Sequence, residues 1–164
     1  MLDNLEKYKV ILASGSPRRR ELMAGLGVNY EVRMLPDVDE SYPDTLQGEE
    51  IPLYIAKEKA DAYIPMMQPD ELIITADTIV WLDGKVLGKP RDREDALQML
   101  RTMSGRTHEV FTGVCITTTD WQRSFTAQTH RYDVSTQNAI NIKYKCFYLF
   151  QIVIDSTHYI RFLN

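Results

Sequence analysis

This 164-residue chain has no long apolar run, no surplus of basic residues, no cysteine framework and no leader-like N-terminus. The longest uncharged apolar-rich stretch, residues 146–154, is less than half of the roughly 20 residues that a membrane helix needs. No membrane partner is expected. A net charge of −4 and a pI of about 5.4 exclude the basic face of a general nucleic-acid binder, so no stable nucleic-acid partner is expected either. Two cysteines, Cys115 and Cys146, provide neither zinc-ligand spacing nor a disulfide framework. "MLDNLEKYKV" places acidic residues where a secretory signal is basic. Together these absences read as a cytoplasmic protein. What is present, 44% apolar and 26% charged residues, is ordinary for a chain that builds one domain around a hydrophobic core.

A second absence is local. Residues 129–164 contain no Gly, Pro or Glu, although the whole chain has eight glycines and seven prolines. These 36 residues hold seven of the sixteen aromatics and carry four Lys/Arg against two Asp. Such a stretch lacks the punctuation that turns require, and "CFYLFQIVI" within it has the composition of a buried or aggregation-prone strand.

The first 128 residues alternate strand and helix signals. "KVILAS" (9–14) is β-rich. It leads into a helical "PRRRELMAGLG" with Ser16 at the N-cap, Pro17 at the first helical position and Gly27 as the stop. Leu22, Met23 and Leu26 give that helix an apolar stripe. A strand is expected over 28–35, an acidic loop "PDVDESYPD" after it, and a helix over 49–63. "ELIITADTIVWL" (71–82) is the strongest strand signal and turns through Asp83-Gly84 into "KVLGKP". A helix over 92–105 is capped by Asp92 and stopped at Gly105. The last two strands, "THEVFTGVCITTTD" and "QRSFTAQT", pair as a hairpin around Asp120-Trp121. The pattern predicts an α/β fold with a mixed sheet.

Four clusters could carry chemistry. Ser14, Ser16, Arg18, Arg19 and Arg20 surround the first strand-to-helix junction. Positive charge there opposes the helix dipole, so the junction is either a solvated turn or a site for an external anion such as phosphate. The acidic loop with Asp37, Asp39 and Glu40 is either solvated or able to hold Mg²⁺. Asp77 and Thr78 interrupt an apolar strand; a carboxylate there either faces a site from a strand end or is held by a structural hydrogen bond. Lys89, between a glycine and a proline, gains interest only from the company of the others. His108 and Thr112 read as satisfied polar residues of the fold.

"LASGSPRRREL", "DVDES", "AKEKA" and "ADTIVWLDGKVLGKPRDREDALQMLRTMSGRTHEVFTGV", in this order, resemble the Maf (septum-formation) family of nucleoside triphosphate pyrophosphatases over residues 8 to about 128. The resemblance implies an elongated, mixed-sheet α/β fold like that of the inosine triphosphate pyrophosphatases. It also implies hydrolysis of a nucleoside triphosphate to the monophosphate and pyrophosphate, with Mg²⁺ or Mn²⁺ as cofactor. The family's proton acceptor falls on Asp77, which would deprotonate water or help hold the metal. Arg18 and Thr78 fall on positions of nucleotide choice and look like the dTTP/UTP-preferring branch. Ser14, Ser16, Arg19 and Lys89 would hold the triphosphate, and Asp39 or Glu40 would join Asp77 at the metal. The family's later Asp-Lys-Ala-Gly stretch, Gln-containing glycine-rich turn and Gly-Leu-Pro have no counterpart in residues 129–164. The expectation is therefore an incomplete Maf-like domain over 1–128, its C-terminal part truncated or replaced by a non-family tail from a shifted reading frame or misjoined gene end.

Two other classes of function remain. One is a catalytically impaired, nucleotide-binding Maf-like fragment. The other is an interaction protein that presents Arg18–Arg20 to an acidic partner or RNA, which the acidic pI and the lack of aromatics around the arginines argue against. Whether two copies form a homodimer is not decided by the sequence.

Overall fold

β-Branched and apolar residues at 9–12, 71–82 and 107–117 build the middle of a mixed sheet, and two helices cover its two faces. The computed structural model describes residues 5–133; the expectation for residues 129–164 falls beyond them from residue 134 onward. The elements run β1 (Lys9–Leu12), α1 (Pro17–Gly25), β2 (Tyr30–Val32), α2 (Glu50–Asp61), β3 (Glu71–Leu82), β4 (Lys85–Leu87), α3 (Arg93–Met103), β5 (Thr107–Thr117) and β6 (Gln122–Asp133), with one 3₁₀ turn at Ile64–Met66. β6 thus continues past residue 128.

The strand order is β2-β1-β3-β5-β6, with β4 also paired to β3. β1 is parallel to β2 and β3, whereas β3–β4, β3–β5 and β5–β6 are antiparallel. The expected mixed α/β architecture is what forms.

Alternation along β3 divides the core. Leu72 and Ala76 pack toward α1, against Met23 and Leu22 respectively. Ile73 meets Tyr63 just past α2, Ile79 packs with Ile51 and Ile55 of α2, and Thr75 donates to the Ala56 carbonyl at 2.6 Å. Period-2 alternation thus sends Thr78 to the α1 face and Asp77 to the α2 face. Gly113 lies opposite Asp77 in β5. A Cβ there would run into the Pro52 carbonyl and the Leu53 amide, so glycine lets the start of α2 lie directly on the strand.

The pairing of β3 also leaves a notch. β5 covers one edge from Ile73 to Trp81; on the other edge β1 covers only Glu71–Ile74 and β4 only Val80–Leu82. Residues 75–79 therefore have no strand beside them on that edge among the described residues. The notch lies just beyond the C-terminal end of β1, the place where open α/β sheets bind ligands.

Local signals behave as expected in most places. Gly27 adopts φ +67° beyond the end of α1, a conformation that glycine takes without a Cβ penalty. Asp92 caps α3 by accepting from the Asp95 amide at 2.8 Å. Ser16 occupies the N-cap of α1, but its side chain makes no capping bond; its backbone amide instead donates to Ser14 Oγ at 3.3 Å. The strand expected over 28–35 pairs only at Tyr30–Val32.

Candidate active site

The notch opens into a cavity of about 580 Å³ whose lining includes Ser14, Ser16, Arg19, Glu40, Asp77, Thr78 and Lys89. Residues more than sixty positions apart in the chain thus meet in one place. Volumes of this order suit a small organic ligand.

Arg19 fills the notch edge. Its Nη1 donates to the Ala76 carbonyl at 2.8 Å and to Ser14 Oγ at 3.1 Å, and its Nη2 donates to Thr78 Oγ1 at 3.3 Å. On this edge the Ala76 carbonyl has no strand partner among the described residues, and the guanidinium takes that place. Burial pulls the Arg19 pKa down, opposed by the charges of Asp77 and Glu40; an arginine remains charged under such a shift. Thr78 also shares a 3.0 Å hydrogen bond with Thr112 Oγ1, which satisfies Thr112 as expected.

The other wall carries opposite charge. Asp77 Oδ1 accepts from Lys59 Nζ at 2.9 Å, and Glu40 Oε1 lies 2.8 Å from the same ammonium. The Lys59 and Asp77 side chains are only 15% and 16% exposed. The hydrogen bond from Lys59 holds the Glu40 carboxyl below its ordinary pKa. Lys89 stands at the mouth, 94% exposed and 4.0 Å from Glu40 Oε2.

The loop that brings Glu40 here is anchored from below. Arg33 makes a bidentate pair with the buried Glu71, at 2.6 and 3.0 Å. These bonds hold the Glu71 carboxyl below its ordinary pKa. Tyr63 donates to the Arg33 carbonyl at 2.8 Å and accepts from the Leu35 amide at 3.1 Å. Two side chains thus fix the backbone that enters the acidic loop.

Not every expected residue joins the cavity. Arg18 is exposed and outside its lining. Asp39 is exposed and turned into its own loop: its two carboxylate oxygens accept from the amide and hydroxyl of Ser41, each at 2.8 Å. Asp37, with φ +54°, lines the cavity in its place. Among the described residues no group of three or more His, Cys, Asp or Glu side chains is gathered to hold a metal ion. The sequence reading missed Lys59. Its signal was a lysine in the apolar stripe of α2, in register with Pro52, Ile55, Ala56 and Tyr63. His108 departs from expectation in another way: it is buried, yet its Nδ1 has no hydrogen-bond partner among the described residues.

The chain is 67% identical over 141 residues to a dTTP/UTP pyrophosphatase of Bacteroides thetaiotaomicron, covering 85% of this chain and 73% of that protein. It is 68% identical over 129 residues to a dTTP/UTP pyrophosphatase of Phocaeicola vulgatus, covering 79% and 67%. The Staphylococcus aureus Ham1 protein superposes with a TM-score of 0.50 at 14% identity, over 77% of this chain and 72% of that one, a likeness of fold. Among the described residues no helix is long and apolar enough to cross a membrane. The model of the Maf-like protein family matches residues 9–143, and it is to this family that the chain belongs.

Proposed function

We propose that this chain hydrolyses dTTP and UTP, and related noncanonical nucleotides, to the monophosphate and pyrophosphate in the cytoplasm, with Asp77 as the proton acceptor. The observation that carries this reading is the meeting of Arg19, Lys59 and the Asp77–Glu40 pair in one cavity at a helix N-terminus. Relatives at 67–68% identity that bear the name dTTP/UTP pyrophosphatase support it.

The triphosphate is the anion that answers the charge problem at α1. The first-turn amides of that helix lack intrahelical acceptors, and the helix dipole and Arg19 add positive charge beside them. Phosphate oxygens arriving there draw on Arg19, the Ser14–Ser16 segment and, at the mouth, Lys89. Water on the opposite side of the scissile bridge meets Asp77, which takes its proton as the bond between the α and β phosphates breaks. The water oxygen ends on the monophosphate and the bridging oxygen leaves with pyrophosphate. Thr78, held by Arg19 and Thr112, and the exposed Arg18 are assigned to nucleotide choice.

The donor set fits a divalent cation in part. Glu40 and Asp77 converge on one positive charge, the Lys59 ammonium, which stands in for an ion between them. Mg²⁺-type sites commonly use one or two carboxylates plus substrate phosphates. Glu40 and Asp77 would hold the ion; Asp39, engaged with Ser41, would not. When bound, such an ion neutralises phosphate charge and favours departure of pyrophosphate.

The test is pyrophosphate release from dTTP and UTP by the purified 164-residue chain with Mn²⁺ or Mg²⁺, alongside equilibrium binding of both nucleotides. Release that stops on chelation supports the reading. Binding without release identifies a nucleotide-binding protein without turnover, and absence of both refutes the assignment.

A further inference from the structure

We infer that Lys59 is a resident counter-ion that competes with the divalent cation for Glu40 and Asp77, and yields that pair only when a polyphosphate enters the cavity. This rests on the proposed function for the identity of the cation and the polyphosphate. The contacts are its starting point. Lys59 Nζ lies 2.8 Å from Glu40 Oε1 and 2.9 Å from Asp77 Oδ1, so a cation drawn to both carboxylates meets an ammonium already seated between them. Two positive charges at one carboxylate pair repel each other, and each weakens the hold on the other.

The surrounding charges decide when Lys59 can leave. Arg19 is committed to Ser14, Ala76 and Thr78, and Lys89 is nearly fully exposed at 4.0 Å from Glu40. Neither can replace the 15%-exposed Lys59 between the two carboxylates. A lysine that left the pair without a new anion would be a half-buried cation with its strongest partners removed. A triphosphate provides that anion. Lysine is suited to the exchange, being a compact charge with three donors on a flexible four-carbon stem. Cation and polyphosphate therefore assist each other's binding, a reciprocal coupling between two ligands, and the empty enzyme holds cation weakly.

The test measures Mn²⁺ binding rather than turnover. Free aqueous Mn²⁺ is followed by its electron paramagnetic resonance signal during titration of the parent chain, Lys59→Met, Lys59→Gln and Lys89→Met, without nucleotide. Methionine keeps the apolar stem of lysine, and circular dichroism verifies the fold. The expected result is about tenfold tighter Mn²⁺ binding in both Lys59 variants, equivalent to about 1.4 kcal/mol, and a clearly smaller change in Lys89→Met. Equal tightening in all three shows only a general loss of positive charge and overturns the proposal. Unchanged or weaker binding in the Lys59 variants overturns it too, leaving Lys59 as a positioning residue for the carboxylates.

A measurement on the parent needs no variant. With a non-hydrolysable α,β-imido nucleoside triphosphate present, Mn²⁺ must bind more tightly than to the protein alone or to the analogue alone. Binding to the protein alone as tight as in the ternary mixture overturns the proposal. Pyrophosphate release enters none of these arms. A chain without turnover can still show the competition, and a working hydrolase can fail to show it.

Discussion

Replacing Arg19 separates its structural role from the phosphate-binding role proposed for it. Its guanidinium caps the unpaired Ala76 carbonyl at 2.8 Å while holding Ser14 Oγ and Thr78 Oγ1, and it faces the cavity that phosphate would enter. Hydrogen bonds to charged groups contribute roughly 1.5–3 kcal/mol each when buried. In Arg19→Ala the three acceptors line a cavity where water replaces the lost donors, so the combined loss is about 1–2 kcal/mol after discounting for solvent. At about 2–4 °C per kcal/mol for a chain of this size, a thermal melt should fall by several degrees without loss of cooperativity. The catalytic loss is separate and larger. One charge-assisted contact to phosphate corresponds to about 10- to 150-fold in kcat/KM. Pyrophosphate release from dTTP and UTP, measured well below the melt of the variant, reads it directly. Arg19→Lys should recover only part of either quantity, because one ammonium cannot span three acceptors as a guanidinium does. A folded Arg19→Ala that loses less than about threefold in kcat/KM, under 0.7 kcal/mol, refutes the phosphate role and leaves Arg19 as a brace for the strand edge.

Asp77→Asn keeps an acceptor for Lys59, with Glu40 still beside it, and should stay folded with a modestly lower melt while losing about 10²–10⁴-fold in rate; retention of a tenth of the activity rules out Asp77 as the base. Arg18→Ala, at an exposed position outside the cavity lining, should change the ranking of dTTP, UTP, CTP and GTP, and an equal loss on all four refutes its role in nucleotide choice. His108 is buried and its pKa is lowered by that burial, so below about pH 6.5 the unfolded chain takes up a proton that the folded one resists. Stability should therefore fall as pH drops from about 6.5, by up to 1.4 kcal/mol per pH unit for this group; a His108→Gln variant whose urea midpoint shows the same pH slope as the parent refutes this. Gly113→Ala should push α2 off β5 and cost about 1–3 kcal/mol by overpacking, and an unchanged urea midpoint shows that the helix start can give way freely.

What the sequence revealed and what it hid follow from how far each signal reaches. β3 was legible because its twelve residues are rich in Ile, Leu, Val, Thr and Trp and contain no Gly or Pro, and the strand observed is the strand expected, residues 71–82. The cap at Asp92 and the left-handed Gly27 were legible because their causes lie within a few residues. Arg19 could be separated from Arg18 by the same local reasoning. It stands three and four residues before the buried Leu22 and Met23, on the stripe that faces the sheet, whereas Arg18 is rotated about 100° away. The acidic loop was harder. Asp37, Asp39 and Glu40 are equivalent by composition; the Ser41 hydrogen bonds that turn Asp39 outward and the positive φ at Asp37 are not written in the acidic run.

Lys59 was legible only as a lysine in an apolar stripe, for a reason that also explains the site. A lysine on a helix reads as a solvated charge until the helix is known to cross a strand that bears a carboxylate. That crossing depends on Gly113, 54 residues further along, which lets α2 approach β5 beside Asp77. The notch is likewise a property of pairing rather than of any one segment. β1 stops at Leu12, opposite Ile74, β4 stops at Leu87, opposite Val80, and the five residues of β3 between them have a free edge among the described residues. Asp77 and Thr78 point to opposite faces of that strand, and in an ordinary sheet they could not serve one ligand. At an uncovered edge both faces are reachable from the same side. Arg19 approaches from the α1 face and Lys59 from the α2 face, and both line the cavity at the segment of β3 that no described strand covers on that edge.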